Sequence, residues 1–263
     1  MLHYKSFIKD KSGDWVVFVH GAGGSSAIWF KQIRNFSQYF NILLLDLRGH
    51  GASQNMPQKD FEADYSFKSI STDILEVLDH LKIEKAHFIG VSLGTIVIRQ
   101  LADMAEQRIQ SMIMVGAVTG LNFQSRFWVA LGRIFRHVLP HMWLYRLFAR
   151  VIMPASSQKE SRSVFIQEAQ RLARKEFLRW FKLTGELTGI LKKFEMPAPN
   201  IPVLYIMGDR DYLFIDQVRK ITRNTRHHIL EIVEHCGHVV NIEKAEIFNN
   251  ISIAFLKSAR LSN

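Results

Sequence analysis

The five residues Gly90-Val91-Ser92-Leu93-Gly94 constrain this chain more than any other stretch. An apolar run, Ala86-His87-Phe88-Ile89, leads into them, and a helical pattern runs from Thr95 to Ala105. A serine with glycines two residues before and two after, between a strand and a helix, is the pattern of a nucleophile elbow. Sterics explain the spacing. The serine must sit in a sharp, strained turn to project its hydroxyl, and the flanking positions come too close to neighbouring backbone to carry a Cβ easily. Such a turn needs a buried strand on one side and a packed helix on the other.

The flanking sequence supplies both repeatedly. Trp15-Val16-Val17-Phe18-Val19 and Asn41 to Leu47 read as buried strands, and Ala27 to Gln38 as a helix. Ile70, Ile74, Leu75, Val77, Leu78 and Leu81 put one broad apolar face on a helix from about Ser69 to Leu81. Further strands follow at Ser111–Val115, Val203–Met207 and Ile229–Val233, with helices at Asp216–Thr222 and Ile242–Ala259. Short apolar strands alternating with helices predict an α/β fold with a parallel sheet covered on both faces.

The alternation stops at Gly116–Asn122 and resumes after Pro197-Ala198-Pro199-Asn200-Ile201-Pro202. Between them the chain reads as helices rich in aromatic residues and arginine, broken at Pro140 and Pro154. One helical face from Arg162 to Lys182 would hold Phe165, Ala169, Leu172, Ala173, Phe177 and Trp180. The expected organisation is therefore one α/β core, residues 1–122 and 192–263, interrupted by a helical insertion, residues 123–191. Charge sets the insertion apart. Of a formal net charge of +10, the stretch from Gly120 to Glu195 carries 14 Lys and Arg against 5 Asp and Glu.

With one cysteine, Cys236, the chain can form no internal disulfide. The first residues lack a signal-peptide pattern, and no apolar run reaches the ~18 residues of a membrane span. A soluble, cytoplasmic protein is expected. No nucleic-acid recognition motif accompanies the basic charge.

Three further motifs fall at predicted strand ends, where sites form in open α/β sheets. They are His20-Gly21-Ala22-Gly23-Gly24, Gly208-Asp209-Arg210-Asp211 and Gly237-His238. The Ser92 hydroxyl needs a base, and a histidine titrating near neutrality suits, here His238. A carboxylate must orient that histidine and stabilise its imidazolium; Asp211 is placed to do so, with Asp209 and Asp216 as competitors. Attack on a carbonyl develops an oxyanion, which backbone N–H groups of Leu93 and Ala22 would stabilise.

With these motifs and Asp46-Leu47-Arg48-Gly49-His50-Gly51-Ala52-Ser53, the chain resembles the α/β-hydrolase family along nearly its whole length. The resemblance implies an eight-stranded, mostly parallel sheet with the insertion as a helical cap over the site. It also implies the order Ser92, Asp211, His238 for the triad, because the family's acid stands fourth in a Gly-x-x-Asp pattern. Serine at the elbow argues against relatives that use aspartate there.

Other residues have plainer readings. His20 is expected to support the glycine-rich loop, His50 to be structural, and Asp46 to pair with Arg48. His235, Cys236 and His238 do not make a metal site, since no matching ligand pair is evident elsewhere. Neither metal nor organic cofactor is implied. The insertion allows three readings: a solvated basic face over packed aromatics, an apolar acyl pocket lined by Phe127, Trp128 and Phe135, or recognition of an anionic substrate or membrane surface.

The expected function is a serine hydrolase that cleaves a carboxylic ester or related small acyl substrate through an acyl-enzyme. A carbon–carbon bond hydrolase of the meta-cleavage type or a lactonase would use the same residues. A ligand-sensing regulatory protein on this scaffold is the reading from another class.

Overall fold

The computed structural model describes residues 1–55, 65–195, 201–223, 225 and 228–261. Strands β1 (Tyr4–Phe7), β2 (Trp15–Val19), β3 (Asn41–Leu45), β4 (Ala86–Val91), β5 (Ile109–Val115), β6 (Val203–Gly208) and β7 (His228–Val233) form one sheet. Their order is β1-β3-β2-β4-β5-β6-β7. All neighbours are parallel except β1, which runs antiparallel on β3 at the edge. The described residues thus form seven strands rather than the eight implied by resemblance. Before Trp15 the chain supplies one short strand, and its last three residues are exposed, so it adds little to the core.

The central strands are buried on both faces, which is why they read as unbroken apolar runs. Alternate residues serve opposite layers. Val17, Val19, Leu43 and Leu45 pack with α2 (Phe67–His80) and α3 (Leu93–Met104). Val16, Phe18, Ile42 and Leu44 pack with α1 (Phe30–Phe36) and with Phe248 and Leu256 of the C-terminal helix.

Among the described residues five α-helices lie between β5 and β6: α4 (Phe123–Phe135), α5 (His141–Ile152), α6 (Lys159–Gln170), α7 (Arg174–Lys182) and α8 (Leu187–Glu195). Pro140 and Pro154 flank α5, as expected of residues that cannot continue a helix. A further break at Leu172-Ala173 divides the stretch read as one face from Arg162 to Lys182. Leu144, Tyr145, Ala169, Leu172, Phe177 and Phe181 form a small core of their own. Trp180, Leu187, Ile190, Leu191 and Phe194 join the core beside the sheet instead. Residue 191, the expected end of the insertion, therefore falls inside α8. That helix is tied to α3 by Arg99, which donates to Lys193 O at 2.9 Å. Its apolar residues recur at helical spacing and have a core surface to cover. Pro197–Asn200 lie outside the described residues.

After β6, α9 (Ile215–Arg223) precedes β7. The helix expected over Ile242–Ala259 is two: α10 (Val240–Glu243) and α11 (Ala245–Leu261).

Candidate active site

Strand β2 pairs with β3 on one side and β4 on the other, so the chain reverses its direction of travel across the sheet between them. Ligand sites of open α/β sheets form at such switch points, outside the strand carboxyl ends. Here that edge carries the loop His20–Gly24 after β2 and Ser92 after β4.

Ser92 has φ 54° and ψ −121°, a left-handed conformation that costs a side-chain-bearing residue about 1–3 kcal/mol. The surroundings enforce it. The Ser92 amide donates to Val115 O at 2.9 Å, and the Thr95 hydroxyl donates to Ser92 O at 2.6 Å. A Cβ on Gly94 would stand 2.8 Å from His20 O and closer still to Val19 O. The second glycine of the motif is thus required because the elbow seats directly on the end of β2.

Asp211 and His238 come from the loops after β6 and β7 and are both buried. His238 Nδ1 lies 2.7 Å from Asp211 Oδ2, the geometry of an N–H donating to a carboxylate. His238 Nε2 is buried with no partner among the described residues. It is not hydrogen-bonded to Ser92 Oγ, yet both residues line one chamber. Asp209 does a different job. Its Oδ1 accepts from the Cys236 amide at 3.0 Å, joining the two loops. Asp216 pairs with Arg219 on the surface of α9. Glu243 accepts from the Gly237 amide at 2.9 Å, and burial raises its carboxyl above the usual range. Burial, reinforced by Glu243, likewise holds the Cys236 thiol up. A protonated, buried thiol is a poor nucleophile.

The glycine-rich loop rests on two histidines. His50 Nε2 accepts from the Gly23 amide at 3.0 Å, and its Nδ1 faces Arg48 O at 2.9 Å. His20 Nε2 accepts from the Leu47 amide at 3.0 Å, with Nδ1 toward Gly21 O at 2.8 Å. Both rings are thereby set as neutral tautomers, Nδ1 protonated. Burial lowers both pKa values, that of His50 to about 3. Gly24 donates to Gly21 O, and no acceptor among the described residues takes the Ala22 amide. Asp46 does not pair with Arg48. Its carboxylate accepts from the amides of Ser26 at 2.7 Å and Ala52 at 2.9 Å. Arg48 forms a buried, two-pronged pair with Asp73 of α2, and its carbonyl accepts from Trp180 Nε1 at 3.0 Å. Local sequence favoured the near acid; the fold turns the guanidinium toward the helix.

Two chambers meet at Ser92 and Ala22. One, about 220 Å³, runs under the inserted helices and has Leu93, Trp128 and Tyr145 among its lining residues. Among the described residues its lining carries no charged side chain. The other, about 50 Å³, contains His238 with Gly21, Ile152 and Ser161. Of the three aromatics expected to line a pocket, Trp128 does so. Phe127 and Phe135 line neither chamber at Ser92: Phe127 is 52 % exposed, and Phe135 is also on the outside. On α4 the inward face is set by Ser125, Trp128 and Gly132; Phe127 points away from it, and Phe135 follows Trp128 two turns on, at the exposed C-terminal end of the helix.

Tyr145 was not singled out by its sequence, being one aromatic among many. A Cβ on Gly23 would lie 3.1 Å from its hydroxyl, so that oxygen borders the glycine loop. Ser125 and Thr184 spend their hydroxyls on main-chain carbonyls, Asn122 O and Phe181 O. The Tyr145 hydroxyl makes no hydrogen bond among the described residues, and nothing in the flanking sequence signals this.

Residues 14–143 match the model of the alpha/beta hydrolase fold family. The chain is 24 % identical to 3-oxoadipate enol-lactonase 2 of Acinetobacter baylyi (strain ATCC 33305 / BD413 / ADP1), over 92 % of this chain and 88 % of that protein. Among solved structures it resembles Est816, described as an N-acyl homoserine lactone degrading enzyme. The TM-score is 0.79 at 22 % identity, covering 97 % of this chain and 96 % of that one. It also resembles a bromoperoxidase from Bacillus anthracis, with a TM-score of 0.81 at 19 % identity, covering 97 % and 95 %. The sheet order, the strained serine at the switch point and these likenesses agree: the chain has the α/β-hydrolase fold.

Proposed function

We propose that this hydrolase cleaves uncharged, apolar carboxylic esters or lactones, with Ser92 as nucleophile, His238 as base and Asp211 as its orienting acid. The observation that carries the reading is the 2.7 Å His238–Asp211 contact, which leaves Nε2 unpartnered in the chamber that Ser92 lines. In the proposed sequence, Ser92 Oγ adds to the substrate carbonyl as its proton passes to His238 Nε2. The amides of Ala22 and Leu93 receive the oxyanion. Collapse breaks the C–O bond, and His238 returns the proton to the departing alkoxide. Water, deprotonated by His238, then hydrolyses the acyl-serine.

The two chambers suggest which arm goes where. The leaving oxygen takes its proton from His238, so the alcohol side belongs in the 50 Å³ chamber and the acyl chain in the 220 Å³ one. Among the described residues neither lining holds Arg or Lys, which favours a neutral substrate over the anionic dienoic acid of a carbon–carbon bond hydrolase. Apolar acyl chains should gain about 0.8 kcal/mol, or roughly fourfold in kcat/KM, per buried methylene until the chamber fills.

A fluorophosphonate probe should label wild-type protein and leave Ser92→Ala unlabelled, and kcat/KM for p-nitrophenyl esters should rise from acetyl toward hexanoyl. An unlabelled, correctly folded wild type would reject the mechanism. Tight ligand binding by both wild type and Ser92→Ala, with negligible turnover, would favour the ligand-sensing reading instead.

A further inference from the structure

Helix α4 is amphipathic in an unusual sense, because its solvent side is apolar. Ser125 and Gly132 are buried against the inserted helices, and Trp128 lines the cavity. The opposite side carries Phe123, Phe127, Ala130 and Ile134. At about 100° per residue these four fall within a strip about 60° wide. Phe123 is 84 % exposed and Ile134 68 %. Val138, at 77 %, and the exposed Trp143 carry the apolar surface on into the α4–α5 turn and α5. A contiguous apolar surface of this kind marks an interaction site.

The charge around it indicates the partner. From Phe123 to Ala155 the chain holds five arginines, Arg126, Arg133, Arg136, Arg146 and Arg150, and no Asp or Glu. None of the five is in an ion pair among the described residues. Arg126 and Arg133 both lie along one edge of the strip, about 70–90° from its centre line. A second copy docked through the same strip would set arginines against arginines, which like-charge repulsion opposes. An acidic lipid surface meets both requirements, since acyl chains take the phenylalanines and phosphates the guanidinium groups. Among the described residues no helix is long and apolar enough to cross a membrane, so the contact would lie in the plane of the surface.

The strip also adjoins the site. Phe123 and Phe127 line an outer cleft of about 480 Å³ together with Arg150, Arg210 and Tyr212. That cleft shares Trp128, Val151, Ile152 and Leu213 with the wall of the 220 Å³ cavity. We propose that α4 docks this protein on anionic membrane surfaces, with Phe123, Phe127 and Ile134 entering the interface and Arg126, Arg133 and Arg150 meeting lipid phosphates. A lipophilic substrate held in the bilayer would then face the cleft rather than bulk water. The docking itself does not depend on the serine-hydrolase reading.

Co-sedimentation of the full chain with vesicles tests it. Binding is expected to vesicles of about 3:1 phosphatidylcholine to phosphatidylglycerol and not to phosphatidylcholine alone, weakening as salt screens the charges. The triple variant Phe123→Ser, Phe127→Ser, Ile134→Ser should lose at least about tenfold in affinity while keeping wild-type circular dichroism. Arg126→Gln and Arg150→Gln should each cost about fivefold. Ser92→Ala should bind like wild type, which separates failure of docking from failure of the catalytic reading. Absence of binding at low salt would overturn the proposal. So would undiminished binding by the triple variant, or a lipid-free wild-type dimer that this variant converts to monomer, since a second copy would then be the cover.

Discussion

The amide of Gly23 donates to His50 Nε2 across 3.0 Å, fixing the loop that carries Ala22 to a ring that must stay neutral. Protonation would set a second donor against that amide. His50 titrates near 6.5 when unfolded and near 3 in the fold, because burial, and next the neighbouring His20, disfavour its charge. Between those values the unfolded chain binds the extra proton, so stability rises with pH. The contribution is complete above about pH 6.5 and is lost as pH falls toward 3, at up to about 1.4 kcal/mol per pH unit for this group. Urea unfolding followed from about pH 7 to about pH 5 should show the midpoint falling, and the fall should be shallower in His50→Asn.

The two aspartates after β6 should separate cleanly. Asp211→Asn should fold normally and lose about four orders of magnitude in kcat, because the wrong histidine tautomer results. Asp209→Asn keeps an oxygen for the Cys236 amide and should retain most activity. Steady-state kinetics on both variants checks the assignment, and a severe Asp209→Asn with a mild Asp211→Asn would reverse it.

Tyr145 offers a hydroxyl to the larger chamber without a partner of its own. If it contacts substrate, Tyr145→Phe should lower kcat/KM about tenfold, the worth of one neutral hydrogen bond. Its Tm should stay at the wild-type value, since no protein contact is lost. A lower Tm with unchanged kinetics would make the hydroxyl structural.

Arg48 and Asp73 should be the most costly polar pair to break in the core. Both are buried, and burial raises the Asp73 carboxyl against the lowering effect of Arg48. Asp73→Ala leaves an uncompensated guanidinium and should cost about 3–5 kcal/mol in equilibrium unfolding. Replacing both residues together, Arg48→Met with Asp73→Leu, should cost less than Asp73→Ala alone.

Much of the fold was legible because its signals are local. A buried parallel strand is an apolar run, a helix repeats its apolar face, and the elbow at Gly90–Gly94 is a pattern readable within five residues. Each candidate residue of the site also stands just after a strand, so chain order alone sets Ser92, Asp211 and His238 on one edge of the sheet. What the sequence could not determine depends on how separate segments dock. Asp73 rather than Asp46 faces Arg48 because α2 crosses that guanidinium. Trp128 rather than Phe127 lines the cavity because α4 turns its Gly132 side inward against Phe148 and Phe181. The division of the space around Ser92 into a large apolar chamber and a small one beside His238 follows from the same packing. Side-chain periodicity says that a helix has a face; only the packed neighbours decide which face is covered.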